Sequence, residues 1–477
     1  MKFSNTYHKL PNHFYAPSKA AHFPDPQLIR FNHSLSQILG FDFSSKSDEE
    51  LAKLFTGQYI PEGSAPISLA YAGHQFGHFV DQLGDGRAML LGEVLDPEGK
   101  RFDIQLKGSG PTKFSRNGDG KSALGPVIRE YILSEAMFHL GVPTTRALAA
   151  VSTGEIVYRD TPMPGAVFTR VASSHLRIGT FQFIASRNDV SALKALLDYS
   201  IQRHYPEIKN QENSALLFFQ QIAKAQIKLI AHWMSLGFIH GVMNTDNMTI
   251  TGETIDYGPC AFMDHFNFNQ VYSFIDRNGR YAYGNQPKIL MWNLSRLADC
   301  LIPLIKADEK TAIEMLNHEL SLFPKMFEAE LNHRMALKFG LRYQAGFEEI
   351  LECWFNYLQS EKLDFTLSFR NLSKILKKND NSFFPETPQF KKFESLWRSK
   401  LSNEQKLQEK MDAINPLFIP RNHQVEKSIQ EAIRGNYALF HELNDVLTHP
   451  FSEKAEFSIY SLPPNNEEKV TNTFCGT

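Results

Sequence analysis

At 477 residues, 42% of them apolar and 21% charged, the chain is long enough to bury a large core, which excludes a disordered protein or a small disulfide-stapled scaffold. Its 38 phenylalanines predict an unusually aromatic interior. Fifty basic against 52 acidic side chains give a formal charge of −2, too balanced for a broad electrostatic footprint on nucleic acid or anionic lipid.

The first residues, MKFSNTYHKLPNHF, carry no apolar run behind the first Lys and do not read as a secretory signal. No segment offers the roughly 18 uninterrupted apolar residues of a membrane span. Cys260, Cys300, Cys353 and Cys475 are spaced too irregularly for a disulfide framework or a zinc site. The expectation is a cytoplasmic protein in reducing surroundings, with neither nucleic acid nor membrane as partner.

In chain order, residues 1–65 read as an N-terminal extension of Pro-punctuated loops with one helical stretch, LIRFNHSLSQILGF. Residues 66–178 are strand-rich. AMLLGEVLD and RFDIQLKGSG flank a turn at Pro97-Glu98-Gly99, and EIVYRD and GAVFTRVAS flank another at Thr161 to Pro164. Between these hairpins a helix is predicted from about Leu124 to Leu140, with Val127, Ile128, Tyr131 and Phe138 as its buried stripe and Gly141 and Pro143 as its stop. Residues 179–370 read as mainly helical, most clearly at SALLFFQQIAKAQIKLIAHWMSLG, where Ser214 is the expected cap and Gly237 the expected end. From 371 to 477 a charged helical extension, interrupted at NPLFIPRNH, ends in an extended, mobile tail. The predicted class is α+β.

The chemistry concentrates in HGVMNTDNMTITGETIDYG, residues 240–258. A protein kinase catalytic loop reads H-R-D-x-x-x-x-N and is followed by D-F-G, with the Asn and the second Asp on Mg²⁺. His240, Asn247 and Asp256-Tyr257-Gly258 fit that pattern, whereas the position of the catalytic base is Val242. Both metal ligands survive and the usual proton acceptor does not. Asp246 is an extra carboxylate that takes over as proton acceptor if it faces the open side of the loop; otherwise it caps the turn.

Upstream, Lys107 ends the β-like run IQLK, and Gly84-Asp85-Gly86-Arg87 precedes the first strand of the same hairpin. This is the order of a phosphate-covering Gly-rich loop and a phosphate-binding Lys, and hairpin, helix, hairpin is the order of a kinase amino-terminal lobe. Glu130 and Glu135, on the intervening helix, both stand as partners for Lys107. Gly120-Lys121-Ser122 ends like a Walker A loop, but Ser115 stands where the first Gly is required, so that motif is rejected. The turn around Gly118 to Gly120 still offers backbone N–H groups to a nucleotide, and Asp119 an acceptor for a ribose or adenine donor. Arg170 and Arg177 place two guanidiniums where a strand gives way to a helix, a pair suited to polyphosphate. His74 and His78 in GHQFGH have helical metal-site spacing, but the flanking glycines and the missing Glu exclude H-E-x-x-H.

Six longer stretches make the chain resemble the selenoprotein O family. They are YAGHQFGHFVDQLGDGRAMLLGE, DIQLKGSGPTKFSRNGDGKSALGPVIREY, FTRVASSHLRIGTFQ, GVMNTDNMTITGETIDYGP, GRYAYGNQP and IPRNHQVE. The resemblance covers nearly the whole length. It implies a protein kinase-like two-lobe fold, with a strand-rich amino lobe over 66–178 and a mainly α carboxyl lobe over 179–370. It also implies protein AMPylation, in which ATP is bound inverted and AMP passes to Ser, Thr or Tyr hydroxyls of target proteins. By that resemblance Gly84, Gly86, Arg87, Lys107, Asp119, Gly120, Arg170, Arg177 and Asp256 would contact ATP, and Asn247 and Asp256 would hold Mg²⁺, with Mn²⁺ as the alternative. Asp246 would be the proton acceptor and Glu130 the partner of Lys107. Cys475 occupies the family's redox-active C-terminal position, with Cys260 as a candidate disulfide partner and a buried structural role as its alternative. Two rival activities stay open at this stage: γ-phosphoryl transfer of the ordinary kinase type, and a catalytically inactive nucleotide-binding scaffold.

Overall fold

The structure, a computed structural model, describes residues 1–378, 380–402 and 405–473. Cys475 lies outside the described residues. The first part of the chain builds strands β1 (Tyr15–Pro17), β2 (Gln27–Phe31), β3 (Ile67–Leu69), β4 (Gly73–Gln75), β5 (His78–Val80), β6 (Ala88–Leu95), β7 (Arg101–Lys107), β8 (Ser122–Ala123), β9 (Arg146–Tyr158) and β10 (Pro162–Ala172). Helices α1 (His33–Ile38), α2 (Asp48–Phe55) and α3 (Leu124–His139) are interspersed among them. An eight-stranded sheet runs β1-β3-β6-β7-β10-β9-β2, with β8 paired to β10, and β4 and β5 form a separate hairpin.

The helical half comprises α4 (Ile178–Ala185), α5 (Val190–His204), α6 (Ser214–Leu236), α7 (Gln286–Leu301), α8 (Glu309–Lys338), α9 (Phe347–Ser360), α10 (Phe365–Lys378), α11 (Pro388–Lys400), α12 (Leu407–Ile414), α13 (Asn422–Ile433) and α14 (Ala438–Leu447). Two short strands, β11 (Phe238–Ile239) and β12 (Ala261–Phe262), bracket the 240–258 loop. The strand-rich sheet and the helical half make a mixed α/β architecture. Among the described residues no helix is long and apolar enough to cross a membrane.

Both expected hairpins form, as β6–β7 and β9–β10. The expected helix over LIRFNHSLSQILGF forms only in its second part, as α1 (His33–Ile38). Ile29 and Phe31 are buried at a spacing of two, so Gln27–Phe31 joins the sheet as β2 beside β9. Asn32 then caps α1, accepting the Leu35 N–H at 3.0 Å, a start signal that fixes the boundary. Ser214 is likewise not the cap of α6. Asn213 holds that place with φ +53°, and its side chain accepts from Lys306 N–H instead. Gly237, at φ +73°, ends the helix as expected.

α3 lies on β9 and β10 and is covered on its other side by α13 and α14. Burial therefore encircles it, and Glu130 and Glu135 are enclosed along with Ile128, Tyr131 and Ile132. Phe138 departs from the expected stripe. It is 41% exposed, with the Arg146 guanidinium 3.3 Å from its ring centre. The tail also docks rather than moving freely up to Thr473, whose N–H donates to Tyr272 O at 2.8 Å and whose hydroxyl donates to Pro259 O at 2.6 Å.

Candidate active site

A cavity of about 650 Å³ opens where the sheet meets the helical half. Its walls include Gly84, Gly86, Arg87, Lys107, Asp119, Gly120, Arg170, Arg177, Asp246, Asn247 and Asp256. Seven cationic and four carboxylate side chains line it, an excess that suits a polyphosphate.

The sheet register builds its inner end. Lys107 and Gln105 are two apart on β7, and Arg170 on β10 stands opposite Gln105, so all three share one face of the sheet. Lys107 Nζ donates to Glu130 at 2.6 Å and to Asp256 at 2.8 Å. Arg170 donates to Glu130 at 3.0 Å, to Asp256 at 2.9 Å and to Gln105 Oε1 at 2.7 Å. Arg177 reaches Asp256 Oδ2 at 3.3 Å and Asp85 at 3.8 Å, with its guanidinium 4.4 Å from the Tyr71 ring centre. Glu135 is occupied elsewhere, paired through both oxygens with Arg146 at 2.8 Å.

Three cations thus converge on Asp256, and Glu130 and Asp85 complete the charge balance. Burial alone would raise the Asp256 carboxyl, but Lys107, Arg170 and Arg177 hold it well below the usual carboxylate range. Burial raises Asp85 despite Arg177. Asp256 itself has φ +62°, a left-handed conformation uncommon outside glycine though tolerated by Asp.

His240 anchors the loop behind this cluster. Its ring stacks on Trp233, Nε2–H donates to Ile255 O at 2.9 Å, and Nδ1 accepts from Val242 N–H at 3.4 Å. Burial pushes its pKa down, so the neutral ring serves both bonds and ties the loop to the strand-like segment before Asp256. Asp246 is buried, and burial pushes its carboxyl up to about 6 against the opposing charge of Arg177. Arg177 also donates to its backbone carbonyl at 2.9 Å.

Asn247 donates Nδ2 to Val242 O at 2.9 Å, which turns its amide oxygen away from that bond. An amide oxygen and an ionised carboxylate are hard donors of the kind Mg²⁺ takes. Among the described residues no cluster of three or more His, Cys, Asp or Glu could hold a metal, so the pair fits an ion shared with nucleotide phosphates and not a closed protein cage.

At the outer wall the loop 115–121 faces Gly84, Gly86 and Arg87. Gly120, at φ +66°, lies so close to Gly110 that a Cβ would fall 2.1 Å from its carbonyl oxygen. Asp119 is engaged from within the chain. Arg159, at the tip of the β9–β10 hairpin, grips both its oxygens at 2.8 and 3.0 Å and holds its pKa down. His74 and His78 lie on the two strands of the β4–β5 hairpin. Cys260 is fully buried just after Pro259.

Sequence reasoning missed Tyr71, Gln75, Asp85, Gln105 and Arg159 as parts of this site. Asp85 sits inside the motif Gly84-Asp85-Gly86-Arg87, so the motif itself is its signal, and Gln105 sits two before Lys107 on β7, so strand alternation is a usable signal for it. Arg159 reaches Asp119 across 40 residues, and no local pattern announces it.

The chain matches the family model described as protein adenylyltransferase SelO over residues 1–448. It is 49% identical over 488 residues to the protein nucleotidyltransferase YdiU of Rhizobium johnstonii, covering 100% of this chain and 97% of that one. It is 48% identical to the protein of the same name from Agrobacterium fabrum, with 100% of both covered. To that of Bacillus thuringiensis it is 47% identical, with 99% and 98% covered.

Proposed function

The chain belongs to the SelO family of protein adenylyltransferases and is a protein nucleotidyltransferase, and from that premise we propose a site-by-site reading of its cleft. The fold is a kinase-like pair of lobes, with the amino lobe over residues 66–178 and the carboxyl lobe over 179–370. ATP enters inverted, its γ-phosphate at the inner end against Lys107, Arg170 and Arg177 and its α-phosphate toward Asp246. Gly84, Gly86, Arg87 and the loop at Asp119-Gly120 flank the rest of the nucleotide.

The observation that carries this reading is the convergence of Lys107, Arg170 and Arg177 on Asp256 at the closed end of the cavity. Three fixed cations there favour the most highly charged end of ATP, and Glu130 keeps Lys107 extended toward it.

An acceptor hydroxyl of a Ser, Thr or Tyr side chain attacks the α-phosphorus. A new P–O bond forms, the bond from the α-phosphorus to the bridging oxygen breaks, and pyrophosphate leaves with that electron pair. The hydroxyl proton passes to Asp246, whose buried carboxyl is raised toward neutrality and so is a better acceptor than an exposed Asp. Asn247 and Asp256 would hold Mg²⁺, which would supply positive charge against the phosphates. Val242, in the place of a kinase base, presents no group to the substrate. The sparse, scattered cysteines support reducing, cytoplasmic surroundings.

The test is incubation with ATP labelled at the α- or the γ-phosphate. Label from α enters protein in the wild type, and label from γ in its place would overturn the reading in favour of kinase action. Asp256→Ala should abolish transfer, and Asp246→Asn should lower it by about 10²- to 10⁴-fold, the usual worth of a general base. Full activity in Asp256→Ala would remove the metal assignment.

A further inference from the structure

The β4–β5 hairpin leaves the large sheet to lie along the loop that carries Asp246. Consecutive backbone and side-chain groups engage it. His74 N–H donates to Thr245 Oγ1 at 2.7 Å, Phe76 N–H donates to Asn244 Oδ1 at 3.1 Å, and between them Gln75 Nε2 donates to Asp246 Oδ2 at 3.3 Å. Each flank of Gln75 is secured again from the helical half. Gln182 of α4 accepts the Thr245 hydroxyl at 2.6 Å and lies 2.8 Å from His74 Nδ1. On the other side the Tyr281 hydroxyl donates to Asn244 Oδ1, and the Phe76 ring meets Tyr281 edge-on at 5.1 Å.

The two oxygens of Asp246 are not equivalent. Oδ1 is enclosed and has no hydrogen-bond partner among the described residues. Gly73 stands against it so closely that a Cβ there would fall 2.7 Å from Oδ1 and 3.0 Å from the Asp246 Cβ. Oδ2 takes the Gln75 amide and keeps further lone-pair capacity. Arg177 fixes the backbone carbonyl of Asp246 and not its carboxylate, so the side-chain torsion is left to the hairpin. Gln75 itself lines the cavity, and its amide is directed to Asp246.

We infer that Gln75 is a positioning residue for transfer: the hairpin carries its amide to Asp246 and turns Oδ2, not the enclosed Oδ1, toward the incoming hydroxyl of the protein acceptor. This rests on the reading of Asp246 as proton acceptor. A base held within hydrogen-bond reach of the proton it takes contributes to the rate, and a base free to rotate loses much of that contribution.

The experiment measures label passed from α-labelled ATP to protein by the full chain and by three variants, with ATP KM and thermal midpoint recorded for each. Gln75→Met keeps the length and packing of the side chain and removes the donor. Gln75→Asn keeps the amide but draws it back by one methylene, and replaces the first variant if that one does not fold. Either should lower kcat by about 10- to 100-fold while ATP KM stays within about twofold, the signature of an interaction used after nucleotide binding. A kcat within about twofold of wild type overturns the inference, as does a fall in kcat matched by a rise in ATP KM, which would place Gln75 in nucleotide binding. Failure of the underlying reading looks different: the wild type passes no α-label, or Asp246→Asn transfers as well as wild type, and the role of Gln75 falls with it.

Discussion

Lys338 is enclosed near the end of α8, its ammonium 4.5 Å from the Phe369 ring centre and 6.0 Å from that of Phe365. Burial pushes its pKa from 10.5 down to about 7. In the unfolded chain this Lys stays protonated to about pH 10.5, whereas the folded protein releases the proton above about pH 7. Between those values the unfolded state binds more protons, so the native state gains stability as pH rises. The penalty is full below pH 7 and gone above pH 10.5. Lys338→Met, which packs well against aromatic rings, should therefore be more stable than wild type at neutral pH by an amount on the order of a few kcal/mol. The gap in urea midpoints should narrow steadily toward pH 10, and a gap independent of pH would refute the assignment. At the same scale, the site residues legible in the sequence were those whose neighbours along the chain form a pattern, as Asn247 and Asp256 do. Asp119 was visible but its engagement with Arg159 was not, because that bond depends on where two hairpins meet.

Among elements, α3 decides how firmly Glu130 meets Lys107, and its outer side is fastened by the C-terminal helices. α13 packs along it, and Arg129 of α3 lies 3.5 Å from Glu426 of α13. Just ahead of α13, Arg421 is fully buried, bonded to Asp264 at 2.6 Å and to Asp364 at 2.8 and 3.1 Å. Removing one partner of a buried ionic set leaves uncompensated charge, so Arg421→Met should cost about 3–5 kcal/mol of stability in urea unfolding. A loss under about 1 kcal/mol would mean that the two carboxylates find other partners or protonate without penalty. The sequence resolved hairpins better than faces. The turn at Pro97-Glu98-Gly99 between the runs AMLLGEVLD and RFDIQLKGSG announces β6 and β7 directly, but the alternation in Gln27–Phe31 is too short to outweigh the helical spacing that follows it. A helix buried all round has no stripe to read, which is why Phe138 looked like core. Residues beyond 371 read as a charged extension because nothing local shows that they cover α3.

For the whole molecule, the consequence is that the N-terminal segment is structural. β1 and β2 form the two ends of the large sheet, beside β3 and β9. Residues 1–31 also bury Tyr7, Leu10, Phe14, Phe23, Ile29 and Phe31. At about 1.5–3 kcal/mol for each large apolar side chain, their removal takes away an amount on the order of 10 kcal/mol, comparable with the roughly 5–15 kcal/mol net stability of a typical domain. The loss is compounded at Glu93, a buried carboxylate that accepts the Thr6 N–H at 2.7 Å and the Tyr7 N–H at 2.6 Å. Deletion would leave it with fewer donors and bare both sheet edges, and exposed edges template aggregation. A chain lacking residues 1–31 should therefore show no cooperative transition by circular dichroism in urea and should aggregate on expression, even though every residue lining the proposed ATP cavity is retained. A deletion variant that unfolds at the wild-type midpoint would instead show that the sheet from β3 to β9 stands without its end strands, and that the active-site architecture begins at β3.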